Sequence, residues 1–171
     1  MTDRTISNQK KAIALAFVLA LAIFNTGSAL AKAGGTDRPV KGTASGTLRV
    51  DPVTGAATGD ITGVTSHLGK TAVHFEGILT PTGEEGTLAG PATVTIVAAN
   101  GDRLTGNAAV TSRTTDTGTI TTVVLEITGG TGRFANASGT LTVTCVSGPP
   151  SQVGPLLVFA LECKATGLIS Y

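Results

Sequence analysis

The chain contains no tryptophan, one tyrosine and one methionine, and aromatic residues make up only 4% of it, too few for the stacking platform of a single-strand nucleic-acid binder. Charge is equally sparse: charged residues are 13% of the 171 positions, the formal net charge is +1, and there is no basic run to hold a phosphate backbone. No GxSxG, HExxH or carboxylate cluster occurs, so hydrolase, zinc and calcium readings find no footing. No cofactor is expected. The longest apolar run, Ala12–Phe24, is too short for a comfortable membrane crossing, and no second long run follows it.

That run is the h-region of a signal peptide. Arg4, Lys10 and Lys11 precede it, and Ala29-Leu30-Ala31 supplies the small-x-small cleavage site, with an uncleaved anchor as the alternative. Cleavage after residue 31 of 171 leaves 140 residues starting at Lys32, enough for one domain with a core. No cysteine stands at the cleavage point, so lipid attachment is not indicated, and the expected destination is the periplasm or the cell exterior. The mature chain keeps nine of 12 basic and ten of 11 acidic residues, for a formal charge of about −1.

Thr, Gly, Val and Ala fill the rest, with β-branched residues alternating with small polar ones. Period two gives eight strands: 43–50, 57–65, 70–80, 86–98, 103–113, 118–128, 138–146 and 156–169, after a flexible segment at 32–42. DPVTG, SHLG, PTGEE, ANGD, TTDT and SGPPSQVGP are short turns between them. Eight strands joined in order, with no amphipathic helix, predict an all-β fold: an eight-stranded antiparallel up-and-down β-barrel that removes its edges by closing, or a β-sandwich as the alternative.

Val73, Phe75 and Leu79 share one face of the third strand, leaving His74 and Glu76 on the other with Ala72 and Ile78. On the sixth strand Thr121, Val123, Leu125 and Ile127 share one face, while Ile120 and Val124 join Glu126 on the other. Apolar residues on both faces point to an outer surface covered by self-association, with plainly solvated threonine-rich strands as the alternative.

Cys145 and Cys163 lie in the last two strands, and antiparallel pairing that sets one opposite the other also sets Val143 opposite Ala165. In an exported protein this predicts a disulfide, with two buried thiols as the alternative. His67 and His74 are far away in sequence and no CxxC exists, so no metal site is expected.

The stretch GGTGRFANASG, 129–139, is followed by a strand rather than a helix and matches neither GxGxxG nor a P-loop. It reads as a bulged corner, with Phe134 as a plug and Arg133 free to cap carbonyls or pair with an acid. ITGGTGRFANASGTLTV, Ile127–Val143, resembles the signature of dirigent proteins and allene oxide cyclases at Gly129, Gly130, Gly132, Phe134, Ala137 and Gly139. The resemblance implies an eight-stranded antiparallel barrel with an apolar pocket, assembled into dimers or trimers, and is greatest to exported bacterial members of that group. Bacterial relatives include cyclases acting on polyketide-like substrates. It transfers architecture, and no equivalents of the plant proteins' catalytic acids are placed here.

For chemistry the residues offer His74 with Glu76, two apart on one strand, and Arg133 with Glu126 at a barrel mouth. A solvated pair and a loop clamp are the plainer readings of each. His67, Asp102 and Arg103 belong to turns. The expected function is a non-catalytic binder of an apolar small molecule or an oligomeric structural module. The alternatives are a cofactor-free isomerase or cyclase and a cell-surface interaction domain. The lumen discriminates: a buried acid or arginine favours the enzyme, a dry, wholly apolar lumen favours binding or structure, and one packed solid leaves only the surface.

Overall fold

The structure is a computed structural model that describes residues 35–171; the expected signal peptide, 1–31, lies outside them. Ten strands run in chain order: β1 Asp37–Val50, β2 Ala56–Thr65, β3 Gly69–Ile78, β4 Thr80–Pro81, β5 Thr87–Val97, β6 Arg103–Thr115, β7 Gly118–Gly130, β8 Ser138–Ser147, β9 Ser151–Val153 and β10 Leu156–Ser170. Consecutive long strands pair antiparallel, and β10 pairs with β1 from Asp37↔Ser170 to Val50↔Leu157, which closes the sheet. The eight strands of the barrel are therefore β1, β2, β3, β5, β6, β7, β8 and β10, and the sandwich alternative falls. The short β4 and β9 extend the rim beside β5 and β10.

One boundary needs correction. Residues 37–42, expected within a flexible segment, are the first part of β1, because Val40 is buried against the core and its neighbours pair with β10. The alternation breaks at Arg38-Pro39, which hid the strand from a period-two reading.

Alternation turns this backbone into a wall with two faces. On β6, Leu104, Gly106, Ala108, Val110 and Ser112 point inward while the residues between them face solvent. Side-chain hydrogen bonds set the turns. At the β1–β2 connection the Asp51 carboxylate accepts the backbone N–H of Val53 at 2.8 Å, and Gly55 takes a φ of 74° that a Cβ would strain.

The glycine corner between β7 and β8 is bulged as its sequence suggests: the register with β6 shifts between Thr105↔Gly129 and Gly106↔Ile127. A single 3₁₀ turn, Gly132–Phe134, follows and drives Phe134 into the barrel end, where it is fully buried. Gly132 has a φ of 55°, and a Cβ there would strike the Asp102 carboxylate, which accepts the Arg133 backbone N–H at 3.2 Å.

The core is uneven along the barrel axis. Its four largest fully buried side chains, Phe134, Leu104, Ile169 and Val40, all lie at the end that carries the β2–β3, β5–β6 and β7–β8 connections. Tyr171 meets Phe134 edge to face there, with ring centroids 4.8 Å apart. The middle of the barrel is different.

Candidate functional site: the barrel lumen

Above the packed end the inward side chains leave a cavity of about 100 Å³. Leu48, Ile61, Val94, Val123, Leu141 and Leu161 form much of its wall. Small residues leave the space open: Gly42, Ala44, Ala92 and Ala165 also line it, and none reaches the axis. Phe75 is the one aromatic in the lining. It pairs across the sheet with Gly59, where a Cβ would collide with its ring, so the missing side chain gives the ring room against the wall.

Among the described residues no charged side chain and no histidine belongs to the lining. The polar side chains in it are threonines, of which Thr71 and Thr121 are buried. The Thr65 and Thr71 hydroxyls lie 3.4 Å apart, and Thr121 is bonded to Ser112 at 3.0 Å. This apolar, uncharged interior of about 100 Å³ is of the same kind as, and somewhat smaller than, the dry protein cavities of roughly 150 Å³ that accept a benzene-sized molecule.

Cys145 and Cys163 both contribute to this wall, and they form the expected disulfide at the expected register, with Val143 opposite Ala165. The bond fits an oxidising compartment. It ties β8 to β10 directly beneath the cavity surface.

The sequence candidates lie elsewhere. His74 and Glu76 are on the outer face of β3, half or more exposed. There His74 sits between two carboxylates, with Nδ1 2.8 Å from Asp60 Oδ1 and Nε2 3.2 Å from Glu76 Oε1; Arg49 Nη1 reaches the other Asp60 oxygen at 3.1 Å. The hydrogen bond to Asp60, and then that to Glu76, raises the His74 pKa, and the His74 bond is the main cause that lowers that of Asp60. A sequence reading misses Asp60 and Arg49, although the SHLG turn holds the signal: with Thr65 opposite Gly69, counting back sets Asp60 opposite His74.

Arg133 and Glu126 do not meet. Glu126 faces outward on β7 ahead of the bulge, opposite Asn107 and Thr140, whereas Arg133 lies beyond it across the barrel end. The Arg133 Nη2 donates to the carbonyl of His67 at 2.8 Å, and its guanidinium stacks 4.6 Å from the Phe134 ring centre. His67 carries a positive φ of 67°. Arg133 thus caps a carbonyl, as expected, and clamps the β2–β3 turn onto the plug. Of the remaining loop residues, Gly130 and Gly139 let strands and corner approach closely, since a Cβ at Gly130 would strike the Arg103 carbonyl and one at Gly139 that of Leu168, whereas Gly129 has a φ of 151° with room for a Cβ.

Fold and cavity together define a small closed antiparallel barrel with one packed end and a hollow, uncharged middle. No protein-family model matches the chain, and neither a curated protein nor a solved structure shows significant similarity to it.

Proposed function

We propose that the protein is an exported binder of an apolar small molecule held in the barrel lumen. The cavity carries this reading: it is open, walled by aliphatic side chains, and free of any group that would do acid–base chemistry. His74, Glu76, Glu126 and Arg133 all lie outside its wall, which favours binding over a cyclase or isomerase. Export rests on the sequence pattern of residues 1–31, and the disulfide supports it. The resemblance of Ile127–Val143 to dirigent proteins and allene oxide cyclases agrees with a pocketed barrel and adds no catalytic residue.

Self-association, as a dimer or trimer, belongs to the same proposal. On the outer face Ile120 of β7 lies beside Val146 of β8, 45% and 51% exposed, with Val124 further along β7. The test of the binding reading is native mass spectrometry of the protein purified from its own source under gentle conditions. A retained apolar molecule is the expected result, and the same spectrum reports the oligomer. A ligand-free protein that also takes up no apolar fluorophore would move the role to the outer surface.

A further inference from the structure

The cavity wall is apolar but not uniformly so, and its two hydroxyl pairs differ. Ser112 and Thr121 are 3.0 Å apart, within the range of a normal hydroxyl hydrogen bond, so Thr121 is largely occupied. Thr65 and Thr71 are 3.4 Å apart, beyond that range, and both line the cavity. Two hydroxyls hold two hydrogens and four lone pairs, and even a formed bond between them would use only one hydrogen. Among the described residues neither makes another side-chain hydrogen bond. In that long contact Thr65 donates to Thr71, which leaves the hydrogen of the buried Thr71 without an acceptor, and a ligand oxygen beside the two would take it.

Charge sets the other half of the specificity. Among the described residues no cation or anion belongs to the wall, so a carboxylate or ammonium there would lose its hydration without a charged partner. We infer that the lumen selects a neutral, ring-sized apolar molecule bearing one hydrogen-bonding oxygen, seated against Thr65 and Thr71. This rests on the binding reading above and specifies the ligand class for the same cavity.

The experiment uses a matched probe series, namely methylcyclohexane, cyclohexanone, cyclohexylmethanol and cyclohexanecarboxylate, with affinities from calorimetry or displacement of an apolar fluorophore at pH 7. In the unaltered protein the first three bind and the carboxylate does not. Thr71→Val is expected to weaken cyclohexanone and cyclohexylmethanol by about five- to tenfold, the size of one net hydrogen bond, and to leave methylcyclohexane unchanged. Thr71→Ser, which keeps the hydroxyl, retains the affinity for the oxygenated probes, and Thr121→Val changes all three alike. Equal losses for hydrocarbon and ketone in Thr71→Val, or carboxylate binding as tight as ketone binding, would overturn the ligand class while leaving the binding reading intact. Failure of the unaltered protein to bind any of the four overturns both.

Discussion

The two halves of the barrel interior are built from one alternating pattern and end in opposite states. At the packed end a loop residue, Phe134, enters from outside the strands and closes the axis together with Leu104, Ile169 and Val40. Midway along, the inward residues come from the strands, with Leu68 of the β2–β3 turn added, and Gly42, Ala44, Ala92 and Ala165 among them leave a gap in the middle. An eight-stranded barrel is just wide enough for side chains to fill, so small residues suffice to hollow it. The largest fully buried side chains are thus gathered at one end, and the cavity lies beside them.

The sharpest way to break this contrast is Phe134→Ala. Removing a fully buried ring should cost about 3–5 kcal/mol in denaturant unfolding. Phe75→Ala should cost less, because that ring already borders open space. Equal losses would mean that the middle is as tightly packed as the end. Next comes the disulfide: Cys145 and Cys163 are 18 residues apart, and replacing both with alanine should lower stability by about 3 kcal/mol, seen as a fall in the unfolding midpoint that reducing agent reproduces in the unaltered protein.

Filling the hollow should do the reverse. Ala165→Leu projects into the cavity and is expected to raise stability by about 0.5–2 kcal/mol while abolishing uptake of an apolar fluorophore. Loss of stability with uptake unchanged would place the binding space elsewhere. The smallest effect belongs to the outer wall. His74, whose pKa is raised from an ordinary 6.5, contributes stability that is complete below about that pH and fades as the pH rises through the raised value. Asp60, lowered from an ordinary 3.8, contributes stability that is complete above about that pH and fades as the pH falls through the lowered value. The difference in unfolding midpoint between the unaltered protein and His74→Gln should therefore be greatest between about pH 3.8 and 6.5 and small, because the groups are exposed. A pH-independent difference would assign the effect to packing.

Local patterns were legible in the sequence and distant meetings were not. The β8–β10 register could be counted from two cysteines, and the inner face of β3 from Val73 and Phe75, because both depend on period two alone. Glu126 and Arg133, expected together at a barrel mouth, lie on either side of the bulge at the glycine corner, and the partner of Arg133 is the His67 carbonyl, 66 residues away. The start of β1 was missed for a similar reason: Asp37–Gly42 become strand only by pairing with the far end of the chain. The hollow is not legible in the strand pattern itself; only the resemblance of Ile127–Val143 implies an apolar pocket.

That last pairing bears on the order in which the barrel can assemble. Its hairpins join neighbours in sequence, but the β1–β10 contact joins Asp37 to Ser170, so the two loose edges of the growing sheet persist until nearly the whole chain is present. An open sheet of this length is an invitation to pair with another chain, and the cavity does not exist until closure. Closure is therefore the late event on which both covered edges and the cavity wait, and the folding rate of this protein should be read from signals at that junction rather than from any hairpin.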